Sequence, residues 1–147
     1  MAIIMAIKQL SVFVENQVGS LVTVTDAIAA TGVDIRAMSM ADTQEFGIIR
    51  MIVDDIDSAK EKLSEKNLFM SVTEVVGVAV NDRPGGLDEV VKVLSDNNIN
   101  IDYLYAFISE SKHYAYVVLR VDDNEAAEKL LIEKGVKLIT ESDISKM

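Results

Sequence analysis

The chain has 147 residues, half of them hydrophobic and 26% charged, and a formal net charge of -10. That composition belongs to a folded, soluble chain with room for one ordinary domain or two small ones, not to a disordered one. The acidity argues against nucleic acid and against an anionic membrane surface as partners, because both need clustered Lys and Arg. With no cysteine, disulfides, zinc–thiolate sites and thiol catalysis are excluded; with one histidine, His113, a His-rich metal site or a serine triad is not expected.

In chain order, "MAIIMAIKQL" is apolar but short and lacks a basic leader, so it does not read as a signal peptide. Met5 is an alternative start. No apolar run reaches the roughly 18 residues that span a bilayer, and a cytoplasmic location is the expectation. "KQLSVFVE" (8–15) reads as a strand. Leu21, Val24, Ala27 and Ile28 follow at helical spacing, with Gly32 placed for a left-handed C-terminal cap. "VDIRAMSMAD" and "FGIIRMIVDD" read as hairpin strands, "SAKEKLSEKN" as a second amphipathic helix and "FMSVTEV" as a last strand. "EVVGVAVN" (74–81) then begins the same order again. Pro84 suits a helix's first turn, Leu87, Val90, Val91 and Leu94 mark that helix, and Asn98 marks its end. "INIDYLYAFIS" and "HYAYVVLRVDD" pair through a polar turn at "SESKH", before the helix "EAAEKLLIEKG" and a last strand "KLITESDI".

The echo is an internal repeat. An offset of 66 residues sets Val14 on Val80, Gly19 on Gly85, Leu21 on Leu87, Val24 on Val90 and Ile35 on Ile101. Past residue 45 the offset is 68, setting Phe46 on Tyr114, Asp54-Asp55 on Asp122-Asp123 and Leu63 on Leu131. The expected fold is α+β: two tandem ferredoxin-like βαββαβ domains, 1–73 and 74–147, each an antiparallel sheet with helices on one face. Units of about 70 residues have marginal cores, and no Gly/Ser/Pro-rich spacer separates them, so side-by-side packing is expected.

"ENQVGSL" and "NDRPGGL" resemble the loop between first strand and first helix in ACT domains, where Asn or Asp is followed three residues later by Gly and an apolar helix. "GVDI" and "NINI" resemble the ACT segment entering the second strand. The resemblance covers nearly the whole chain, twice, and implies a stand-alone tandem ACT protein: a non-catalytic regulator that binds a free amino acid at an ACT–ACT interface. It implies ligand loops at Asn16, Gly19, Ser20 and Leu21 and at Asp82, Gly85, Gly86 and Leu87. Asp34 and Asn100 match the position that reaches the ligand from the neighbouring domain, which would pair the first loop with Asn100 and the second with Asp34.

Such a loop suits an amino acid physically. Unpaired N–H groups and the positive end of a helix suit the carboxylate. Glycine lets the backbone approach, and an oxygen of Asn16 or Asp82 can accept from the ammonium. The first pairing carries two amides and the second two carboxylates, unless Arg83 compensates, so the first is expected to bind a neutral amino acid more tightly.

Blander readings compete. Asn16 is also a plausible helix cap, and Gly19 a plain turn residue. His113 reads as a solvated hairpin residue, and Met38, Met40 and Met51 as strand packing. The pairs Asp54-Asp55 and Asp122-Asp123 read as helix starts rather than metal ligands. No cofactor is expected. Two other functions compete: a regulatory subunit acting on a partner enzyme, as acetolactate synthase small subunits do, and a small ferredoxin-like enzyme. The last ranks lowest, because no nucleophile or acid/base constellation stands at recognisable spacing. Exposed strand edges favour a homodimer.

Overall fold

The computed structural model describes residues 6–108 and 113–147. Met5 and all of the expected "SESKH" turn but His113 lie outside the described residues. Contacts divide the chain into two compact units, Lys8–Thr73 and Glu74–Met147, with Ile7 belonging to the latter.

In the first unit the elements are β1 (Ile7–Glu15), α1 (Ser20–Ala29), β2 (Ile35–Asp42), β3 (Phe46–Val53) and α2 (Ile56–Ser64), leading into β4 (Phe69–Asn81). β3 pairs antiparallel with β1, from Leu10↔Met51 to Glu15↔Phe46, and with β2, from Ile35↔Val53 to Asp42↔Gly47. Alternation puts Leu10, Val12 and Val14 on one face of β1, where Ile49 and Met51 of β3 join them. Val24, Ala27 and Ile28 of α1, with Ala59 and Leu63 of α2, close that core. On β1 and β4, Phe13 and Phe69 meet edge to face with ring centres 5.7 Å apart.

The second unit repeats the plan with the later part of β4, α3 (Gly86–Asp96), β5 (Ile101–Ala106), β6 (Tyr114–Val121), α4 (Asn124–Glu133), β7 (Lys137–Ile139) and α5 (Glu141–Lys146). Its strand order is β7-β4-β6-β5, antiparallel throughout. Val76, Val78 and Val80 face Leu119 and Val121, under Val90 and Leu94 of α3 and Ala127 and Leu131 of α4.

The βαββαβ order expected for each half is therefore present, and Gly32 (φ 78°) and Asn98 (φ 64°) are left-handed, as expected of helix ends. Met51 is fully buried and Met38 partly so, whereas Met40 is exposed, its Cε lying over Gly47. Two expectations need correction. "FMSVTEV" and "EVVGVAVN" form one 13-residue strand, β4, because nothing in the apolar, β-branched run interrupts the ladder. Only Lys137–Ile139 of "KLITESDI" is strand. There Thr140 accepts from the Asp143 N–H while Asp143 accepts from the Thr140 N–H, a capping box that starts α5. Pro84 lies before α3, as expected, directly ahead of the N-cap Gly85.

Candidate ligand loops

The two loops share one backbone scheme. In the first, the Asn16 N–H donates to the Glu45 carbonyl (3.0 Å), Gln17 to Glu15 (3.0 Å), Ser20 to Gln17 (3.3 Å) and Thr23 to Gly19 (3.1 Å). In the second, Asp82 donates to His113 (2.9 Å), Arg83 to Asn81 (2.9 Å), Gly86 to Arg83 (2.9 Å) and Glu89 to Gly85 (3.1 Å). Each bond lies at the repeat offset from its counterpart. Both N-caps are left-handed glycines, Gly19 at φ 92° and Gly85 at φ 86°, and neither helix has a side-chain cap. The N–H groups of Leu21 and Val22, and of Leu87 and Asp88, therefore have no acceptor among the described residues. No atom would meet a Cβ at Gly19 or Gly85 within 4 Å, so each N-cap stands open on the side where a side chain would be.

Asn16 does not cap α1. It and Asp82 are exposed at their loops, with no side-chain hydrogen bond among the described residues. Ser20 and Gly86 open the helices. A Cβ on Gly86 would collide with the Asn81 carbonyl oxygen, so the second loop closes more tightly on the end of its strand. Arg83 is drawn away from Asp82: its guanidinium pairs with Glu89 on α3.

Asp34 and Asn100 lie at the other end of the first helix in each unit. The ten residues of α1 span about 15 Å, so Asp34 does not join the loop of its own unit, and the same holds for Asn100 along α3. Both positions are structured alike. The register of β2 shifts between Ile35 and Ala37, and that of β5 between Ile101 and Tyr103, leaving Arg36 and Asp102 as the extra, bulged residues. Each holds the predicted ligand residue before it. Arg36 Nη1 lies 2.6 Å from Asp34 Oδ2 and Nη2 3.8 Å from Asp54, while Asn100 Nδ2 donates to Asp102 Oδ1 at 2.9 Å. The expected contrast of two amides with two carboxylates is thereby altered: Asp34 has a guanidinium beside it, and Asn100 brings a carboxylate. Sequence reading missed these bulges, since one extra residue leaves no mark in composition.

Of the other acidic pairs, Asp55 and Asp123 are helix starts, as expected, whereas Asp54 Oδ1 accepts from the Asp34 N–H at 2.9 Å. Asp55 accepts from the Ser58 hydroxyl and N–H, which hold its carboxyl below the usual range, and Asp123 accepts from the Ala126 N–H. His113 is exposed and serves the loop through its carbonyl. Among the described residues no His, Cys, Asp and Glu grouping could hold a metal. A cleft of about 140 Å³ lined by Tyr116, Lys137, Ile139, Asp143, Lys146 and Met147 contains none of the predicted residues, nor does one at Thr31, Ser58, Glu61, Lys62 and Glu65. Of their polar groups, Asp143 is engaged in its capping box and Lys62 with Glu65 at 3.1 Å.

Residues 5–147 match the family model for an ACT domain pair. The chain belongs to this family. ACT domains are regulatory modules, and the loops above are the same element in both members of the pair. Protein BT0572 from Bacteroides thetaiotaomicron is 35% identical, with 97% of this chain and 98% of that one covered and a TM-score of 0.89. The ligand-free regulatory subunit of aspartate kinase from Thermus thermophilus shares the fold at 14% identity, covering 90% and 96% of the two chains with a TM-score of 0.63. Its counterpart from Thermus flavus does so at 15%, covering 86% and 90%, with a TM-score of 0.58. Among curated proteins, none matches the chain. Among the described residues of the ACT pair, no helix is long and apolar enough to cross a membrane.

Proposed function

We propose that this ACT pair is a non-catalytic sensor of a free α-amino acid and regulates a partner protein according to its occupancy. One observation carries the reading: each loop leaves two helix-start N–H groups without an acceptor among the described residues, behind an uncapped, left-handed glycine. An amino acid's carboxylate satisfies both donors and the positive helix end together. Asn16 or Asp82, exposed at the loop and uncommitted, supplies an oxygen for the ammonium. Asp34 and Asn100 keep the role implied by the resemblance, reaching a ligand held by a loop other than that of their own unit.

The test is a thermal-shift screen of the twenty amino acids, followed by calorimetry. A specific rise is expected, because a ligand that binds only the native state stabilises it by mass action. Asn16→Ala is expected to weaken binding of a neutral amino acid more than Asp82→Ala, since Asp82 opposes the ligand carboxylate and Arg83 is occupied by Glu89. Equal losses would remove the asymmetry; no shift with any amino acid would remove the function. We also infer a homodimer, because among the described residues β2 and β5 each have a ladder partner on one side only. Sedimentation at micromolar concentration tests it, and a monomer there refutes it.

A further inference from the structure

In the second unit β4 sets Ala79 between two ladder neighbours, Tyr116 of β6 on one side and Lys137 of β7 on the other. The three form one row on the sheet face away from α3 and α4, because Val78, Val80 and Leu138, one residue along, belong to the core. Tyr116 and Lys137 both line the cleft of about 140 Å³. Ala79 has nothing beyond its Cβ to part them. α5 follows β7 through its capping box and is anchored by the buried Ile144. It brings Asp143, Lys146 and Met147 to the same cleft.

The first unit builds this row differently. The repeat offsets set Phe13 on Ala79, Ile48 on Tyr116 and Phe69 on Lys137. There the row is filled: Ile48 pairs with Phe13, whose ring meets Phe69 edge to face. Alanine in place of phenylalanine removes one aromatic ring, and a cavity of about 150 Å³ holds a benzene ring. Lysine in place of the other phenylalanine puts a cation at the edge of that space, and Lys146 adds a second. Neither ammonium, nor the Tyr116 hydroxyl, has a hydrogen-bond or ion-pair partner among the described residues. Asp143 is the one acidic side chain lining the cleft among the described residues. Its Oδ2 already accepts from the Thr140 N–H at 2.9 Å and the Thr140 hydroxyl at 3.0 Å. In a chain of net charge -10, this cleft sets two cations against one committed carboxylate.

We propose that this cleft is a ligand site separate from the two loops, and that it takes a small carboxylic acid with a ring-sized apolar body. Lys137 and Lys146 pair with the carboxylate, while Tyr116, Ile139 and Met147 contact the body. The test is an amide-resonance titration of the isotope-labelled full chain with benzoate, beside acetate, which lacks the ring, and benzyl alcohol, which lacks the charge. Saturable shifts are expected at Ala79, Tyr116, Lys137 and Ile139, with both controls binding more weakly than benzoate. Ala79→Phe restores the filled row of the first unit and is expected to abolish them. Lys137→Gln and Lys146→Gln, at exposed side chains, serve if circular dichroism shows Ala79→Phe misfolded. Each is expected to weaken benzoate up to about fivefold, the value of one partly exposed ion pair, and to leave benzyl alcohol unchanged. Acetate as tight as benzoate, or benzoate still bound by a folded Ala79→Phe chain, overturns the site. So does the absence of a saturable shift, or shifts confined to Leu21 and Val22 or to Leu87 and Asp88, which would place the carboxylate on a loop.

Discussion

The loop after β1 and the loop inside the second unit are built from the same backbone bonds, yet they differ in how closely the helix meets the strand. Ser20 carries a Cβ where Gly86 has no room for one, because the Asn81 carbonyl lies across it. The comparison separates what the loop requires from what either copy has added. Both need the left-handed glycine and the free donors; only the second needs a second glycine.

The largest effect should come from testing that difference. Gly86→Ala forces backbone apart and is expected to cost about 3 kcal/mol, whereas Ser20→Ala is expected to stay within about 0.5 kcal/mol. Urea denaturation of the two variants measures this, and similar values would mean the loops close alike. Next, Gly19→Ala and Gly85→Ala meet open space and suffer only the left-handed backbone, a cost of about 1–2 kcal/mol each. Here the prediction is equality: if one variant is much worse, the loops are not the same element.

The smallest effect concerns α5, which the first unit lacks. The Thr140 N–H, and then its hydroxyl, hold the Asp143 carboxyl below its ordinary value of 3.8, with Lys137 and Lys146 adding to the effect. A folded-state value below the unfolded one means that the unfolded chain binds more protons in acid. The stabilisation is therefore full above about pH 4 and fades as pH falls through the lowered value. Amide exchange at Ile144, compared between wild type and Asp143→Asn, should show an acid-dependent gap that closes below that range; a gap independent of pH would show that the carboxylate plays no part.

The fold was largely legible because its signals are periodic. Leu10, Val12 and Val14 alternate, Val24, Ala27 and Ile28 recur at helical spacing, and the repeat confirms each assignment with a second instance. What escaped was local and polar. "KLITESDI" alternates well enough to resemble a strand, while Thr140 and Asp143, three residues apart, carried the capping-box signal that overrode it. The loops were legible through Gly19 and Gly85, since a left-handed residue selects glycine. The bulges at Arg36 and Asp102 were not, because an unpaired residue is a property of the ladder and not of its composition. Nor could the sequence show that Arg83 would turn to Glu89 rather than to Asp82.

The uncapped helix starts have a practical consequence. The amide hydrogens of Leu21, Val22, Leu87 and Asp88 bond to no acceptor among the described residues, so in the free chain they should trade with solvent deuterium quickly. An anion seated on a loop would slow the two belonging to it and displace their nuclear resonances. These four main-chain positions form two labelled pairs, one for each loop, and they report which loop is filled without any substitution in the chain.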